Sequence, residues 1–297
     1  MLTINPCNLC PRECGVDRNN QVGFCHGSHM SKVARVALHF WEEPCISGTR
    51  GSGTVFFSGC NLRCCYCQNY QISMEGHGRE ISAERLAEIY LELQEKGAHN
   101  INLVTATPYL PQVLKALESA KSKLRIPVVY NSSGYEKVET IRELKGYVDI
   151  YLPDFKYFSN ELAWKYSNIR DYFQVATAAI KEMTLQTRGL QFDANGIMQK
   201  GIIIRHLVLP GARKDSLAIL EWIHENLPFN QYWLSLMSQY TPAYKCREHR
   251  EINRRITSFE YDSVIEEALR LGLVNSYMQE RSSAREEYTP PFNLEGI

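Results

Sequence analysis

The chain has 297 residues, 44% hydrophobic and 22% charged, which suits a folded protein with one large domain and an appendage. Lys plus Arg equals Asp plus Glu at 33 each, so no global field recruits nucleic acid or an anionic membrane. The N-terminus lacks a basic start followed by an apolar run, and no run of 18 apolar residues occurs. The expectation is a cytoplasmic protein without a secretory signal or membrane span.

The first fifty residues carry Cys, Gly and Pro and read as a loop-rich, metal-binding knob, residues 1–50. Thr54-Val-Phe-Phe57 is a short buried strand that runs into Gly59-Cys60. A helix is predicted over 82–95, with Ser82 as N-cap, Gly97 as stop, and Leu86, Ile89, Tyr90 and Leu93 on one face. Strand and helix then alternate. Strands are predicted at 101–104, 127–130, 148–152, 201–205 and 232–236. Helices are predicted at 108–121, 136–144, 161–166, 172–188 and 212–226. Six strands alternating with helices imply a parallel sheet wrapped by helices, an α/β fold. The expected architecture is a partial (β/α)6 TIM-like barrel over residues 51–240, with a doubly wound sheet as the alternative. Residues 241–297 form a small C-terminal appendage with one helix at 261–271 and an extended, charged tail from Arg281.

Nine of the ten cysteines lie in the first 67 residues. A reducing compartment disfavours disulfides, and a core using cysteine as a small hydrophobe would scatter it, so the clustering points to metal. Cys60, Cys64 and Cys67 follow a strand at spacing x3 and x2. Three thiolates suit a [4Fe–4S] cluster with one iron left open for a small molecule. A three-cysteine zinc site completed by a distant His is the alternative. Cys65 falls outside the spacing. Cys7, Cys10, Cys14 and Cys25 supply four further thiolates, a closed set for zinc or an auxiliary iron–sulfur cluster, with free thiols or a rearranged set that includes Cys45 as the alternatives.

Cys-x3-Cys-x2-Cys after the first strand, with Tyr66 before the last Cys, resembles the radical S-adenosylmethionine superfamily. Within it, Cys67-Gln68-Asn69 is similar to the Cys-His-Asn of the enzymes that activate pyruvate formate-lyase, and the N-terminal Cys7–Arg18 segment resembles a relative of those activases. The resemblance runs from about Cys7 to Thr241. It implies S-adenosylmethionine bound at the open iron and cleaved by one electron to methionine and a 5′-deoxyadenosyl radical. That radical would take hydrogen from a glycine of a glycyl radical enzyme partner, with flavodoxin or ferredoxin as electron donor. Modification of a small molecule or peptide, and a non-catalytic electron-transfer role, are the alternatives.

Strand ends supply the expected cofactor contacts. Thr105 and Thr107 stand where the family commonly has Gly-Gly-Glu-Pro, so their hydroxyls and backbone carbonyls are expected to replace the missing acid. Asn131 or Ser132 would bond the ribose. Asp154 and Lys156 resemble the Asp-x-Lys that activases set beside the cofactor carboxylate. Of Arg205 and His206, which alternate sides, His206 is the expected cofactor contact. Tyr66 and Asn69 complete the set.

Overall fold

The structure is a computed structural model that describes residues 2–279 and 289–297. Strand β1 (Ser31–His39) runs antiparallel to β2 (Ser52–Phe57), and β3 (Arg79–Ile81) pairs with its other edge. Beyond β2 come β4 (Ile101–Val104), β5 (Val128–Ser132) and β6 (Ile150–Pro153), then β8 (Met198–Leu207), β9 (Trp233–Met237) and β10 (Ser276–Met278). All of these are parallel to β2 and lie side by side in chain order. The short β7 (Gln191–Phe192) pairs only with β8. Sequential order without a reversal is barrel topology, and it removes the doubly wound alternative, which needs a switch point. The sheet is not closed.

The crossovers are α3 (Ala83–Glu95), α4 (Leu110–Ala120), α5 (Val138–Glu143), α6 (Asn160–Ser167), α7 (Tyr172–Thr187) and α8 (Arg213–Asn226). The predicted stripe of α3, Leu86, Ile89, Tyr90 and Leu93, is fully buried, and Ser82 caps the helix by accepting from the Arg85 amide at 3.2 Å. A last helix, α9 (Ser258–Arg270), opens on a reciprocal capping box between Thr257 and Glu260.

Two differences from the sequence reading position the site. Residues 31–39, read as part of a loop-rich knob, form a nine-residue strand on the barrel sheet. Its burial does not alternate regularly, the register shifts between Val33 and Arg35, and charge interrupts the apolar run, so periodicity alone does not separate it from loop. The helix α1 (Pro44–Ser47) after it sits at the end where the parallel strands begin. Ile46 packs there with Val129, Ile150, Leu152 and Ile203, and Asn100 Nδ2 donates to its carbonyl at 2.8 Å. The seventh parallel strand, β10, was also missed: its three residues are too few to show a period.

The tail expected to extend from Arg281 lies outside the described residues as far as residue 288. Beyond it, the Leu294 amide donates to the Ala34 carbonyl and the Val36 amide to the Glu295 carbonyl, so the chain end lies along β1. No helix among the described residues is long and apolar enough to cross a membrane. The short helix α2 (Tyr70–Ser73) follows the cysteine loop.

Candidate active site

A cleft of about 250 Å³ opens where the parallel strands end. One wall is the loop from Gly59 to Asn69. Gly59 has φ +87°, and a Cβ there would collide with the Cys25 carbonyl, so the strand-to-loop turn requires glycine. Asn61 Nδ2 donates to the Tyr135 carbonyl at 2.8 Å, and the Cys65 amide donates to the Tyr166 carbonyl at 2.8 Å, pinning the loop at both ends.

The three expected ligands are brought together on this loop. Cys60, Cys64 and Cys67 all line the cleft. Each sulfur has a donor: the Leu62 amide on Cys60 at 3.4 Å, Ser167 Oγ on Cys64 at 3.0 Å, and Ser73 Oγ beside Cys67 at 3.2 Å. Burial pushes the Cys60 thiol up to about 12 and the Cys67 thiol up to about 11. Three thiols on one loop lining the cleft are the donor type an iron–sulfur cluster takes, though among the described residues no three His, Cys, Asp or Glu side chains stand at the spacing of a bare ion.

Tyr66 lines the cleft wall and continues inward as a relay. Its hydroxyl meets Tyr157 at 2.7 Å, Tyr157 meets Ser167 at 2.7 Å, and Ser167 donates to Cys64. Asn69 lines the cleft from the start of α2.

The opposite wall is charged. Lys156 Nζ lies 2.6 Å from Asp154 Oδ2, and Arg205 Nε donates to Asp154 Oδ1 at 2.9 Å. Arg205 also donates to Asn131 Oδ1 at 2.6 Å and to Glu42 Oε2 at 3.1 Å. Glu42 Oε1 accepts from Asn102 and Asn131, each at 3.2 Å. Burial alone would raise the Asp154 carboxyl, but Arg205 and Lys156 outweigh it and hold it below the usual range. Burial likewise works against the Lys156 ammonium, and Asp154 overcomes it.

The remaining expected contacts divide. Thr105, in the left-handed region at φ 60°, and Ser132 line the cleft. Thr107 does not: it lies in the turn before α4, buried, donating to Glu136 at 2.6 Å and bonded to Tyr130 at 2.9 Å. His206 is also elsewhere. It faces away from the cleft, its ring bonded to the Phe155 carbonyl at 2.7 Å and to Ser216 of α8 at 2.8 Å, and burial lowers its pKa to about 4. Strand alternation put only one of the two neighbours inward, and it is Arg205. Glu42 had no motif around it, and its position became visible only once β1 and α1 were folded under the sheet.

A family model, the Radical SAM superfamily, matches residues 54–186, from β2 through most of α7. An uncharacterized protein, MJ0674, of Methanocaldococcus jannaschii is 34% identical over 277 residues, covering 90% of this chain and 75% of that protein.

The chain belongs to the radical S-adenosylmethionine superfamily. Its cofactors are accordingly a [4Fe–4S] cluster and S-adenosylmethionine. Solved structures with partial likeness include SuiB of Streptococcus suis bound to its precursor peptide SuiA, 12% identical, TM-score 0.48, covering 74% of this chain and 46% of that one. Methylornithine synthase (PylB) is 14% identical, TM-score 0.48, covering 76% of this chain and 60% of that one. HydG, a maturase of the [FeFe]-hydrogenase, is 14% identical, TM-score 0.48, covering 77% and 52%. The chain spans about half the length of these structures.

Proposed function

We propose that this radical S-adenosylmethionine enzyme abstracts hydrogen from a glycine of a partner protein, as a glycyl radical enzyme activase does. The observation that carries the reading is that the three-cysteine loop and the Asp154–Lys156 pair line one cleft. Cys60, Cys64 and Cys67 would hold the cluster, which when bound would supply the electron for reductive cleavage of S-adenosylmethionine.

The chain's own residues bind and orient the cofactor. Lys156 offers a mobile positive charge to its carboxylate, and Asp154 with Arg205 fixes where that charge points. Thr105 presents a hydroxyl and a carbonyl to the amino group. Ser132, at the end of β5, addresses the ribose, while Asn131 beside it is held by Arg205 and Glu42. A partner protein reaches the cleft at its open mouth, and reduced flavodoxin or ferredoxin supplies the electron in the cytoplasm.

Thr105-Ala-Thr107-Pro108 departs from the Gly-Gly-Glu-Pro pattern, and this supports a second reading, hydrogen abstraction from a small molecule or peptide. The test is anaerobic reconstitution with iron and sulfide, reduction, and addition of S-adenosylmethionine with 5′-deoxyadenosine as the product assayed. Release that disappears in Cys64→Ala supports the radical reading. A reducible cluster that neither binds nor cleaves the cofactor overturns it. Deuterium transfer from a candidate glycyl protein into 5′-deoxyadenosine separates the two substrate classes.

A further inference from the structure

Ahead of β1, four cysteines gather around one buried arginine. Cys7 and Cys10 lie on a tight hairpin, with the Cys7 amide donating to the Val16 carbonyl at 2.9 Å and the Gly15 amide returning to the Cys7 carbonyl at 3.2 Å. Cys7, Cys10 and Cys25 are buried and Cys14 is half-buried.

Arg18 is 1% exposed. Its Nη2 lies 3.2 Å from Cys25 Sγ, Nη1 donates to the Pro108 carbonyl, and Nε has no partner. Gly23 and Gly27 flank the guanidinium, where a Cβ would press on it. A buried guanidinium among neutral thiols is an uncompensated charge, and that is costly. Among thiolates it is balanced.

We propose that Cys7, Cys10, Cys14 and Cys25 hold a second, tetrathiolate metal centre with Arg18 as its counter-charge, and that this centre fastens the catalytic loop. Four thiolates on a divalent ion or an oxidised cubane leave net negative charge, which Arg18 offsets. Among the described residues no three His, Cys, Asp or Glu side chains stand at the spacing of a bare ion, so the proposal requires the four sulfurs to close in on binding.

The fastening runs through Arg12, which lies between Cys10 and Cys14. Its guanidinium donates to the carbonyls of Asn61 at 2.9 Å, Leu62 at 3.4 Å, Ser167 at 3.1 Å and Asn168 at 2.8 Å. Two of these carbonyls belong to the catalytic loop, and Ser167 is the residue that donates to Cys64. The Cys25 carbonyl packs on Gly59, at the base of the same loop. The metal therefore holds a clamp on the loop that carries Cys60, Cys64 and Cys67.

The metal claim is tested in a full-length Cys60→Ala, Cys64→Ala, Cys67→Ala variant, which keeps only the N-terminal thiols as a clustered set. Metal and acid-labile sulfide are measured after anaerobic purification. About one zinc per chain, or iron with matching sulfide, is the expected result, and the two distinguish the kinds of centre. No retained metal overturns the proposal, and so does metal still held after Cys10→Ala and Cys14→Ala are added. If those additions prevent folding, alkylation mapped by mass spectrometry replaces them. Cys7, Cys10, Cys14 and Cys25 should alkylate about tenfold faster after chelation, and an unchanged rate overturns the proposal. None of these readouts needs catalysis, so failure of the radical reading leaves them intact. The clamp is tested by Arg12→Met in the otherwise natural chain. The N-terminal metal should stay while the electron paramagnetic resonance signal of the reduced catalytic cluster broadens. An unchanged signal overturns the fastening.

Discussion

Arg205 and Asp154 join neighbouring strands β8 and β6 inside the cleft, with Arg205 Nε donating to Asp154 Oδ1 at 2.9 Å. The same guanidinium reaches Glu42, which arrives from the far end of the barrel. One side chain thus ties the floor of the cleft to the residues set for the cofactor.

Arg205→Met should destabilise the protein by about 3–5 kcal/mol, because it leaves the buried Glu42 carboxyl without a cation and Asp154 with Lys156 alone. Adding Glu42→Gln should recover part of the loss. Urea midpoints of the single and double variants check this, and equal midpoints for the two would refute the coupling.

Lys156→Ala should weaken S-adenosylmethionine binding at least about tenfold, or about 1.4 kcal/mol, with little change in fold stability. Thr105→Val should weaken it less, since the backbone carbonyl remains. Calorimetric titration of the reconstituted proteins measures both, and undiminished affinity in Lys156→Ala would remove the carboxylate assignment.

Glu136 carries a pH prediction. Burial raises its carboxyl to about 8, with Thr107 and Tyr130 pulling the other way. The native state therefore holds a proton that the unfolded chain releases near its ordinary value. Stability is highest below that value and falls as pH rises toward 8, by up to about 1.4 kcal/mol per pH unit. Glu136→Gln should flatten the dependence and stabilise the protein at pH 8. Denaturation at pH 5, 6.5 and 8 gives the slope, and parallel curves for the two proteins would sink the idea.

Ser167→Ala removes the hydroxyl that donates to Cys64 and cuts the relay from Tyr66. Hydrogen bonds to cluster sulfurs stabilise the reduced, more negative state. The variant's cluster should therefore have a lower reduction potential, read by a dye-mediated redox titration. Tyr66→Phe, which leaves the Ser167 donor in place, should shift it less.

Gly134 has φ +75°, and an added Cβ would run into the Asp154 carbonyl. Gly134→Ala should cost more than about 1 kcal/mol and also lower cofactor affinity, since it pushes on the strand end that carries Asp154 and Lys156. A thermal shift assay with and without S-adenosylmethionine reads both effects.

Local sequence carries the three-cysteine motif and most of the strands and helices of the barrel. Cys60, Cys64 and Cys67 are local in the chain, and a strand such as 101–104 or a helix such as α3 declares itself through spacing within a few residues. Tertiary structure decided which side chains meet. His206 and Arg205 are adjacent, and which one faces inward depends on the register of β8 against β6 and β9. Thr107 turns to Glu136 because the chain coils into a tight turn after Thr105. Glu42 reaches Arg205 only because β1 runs back along β2 and drops α1 beneath the sheet. These meetings join residues up to 163 positions apart, and no local pattern encodes a pairing that long-range packing alone brings about.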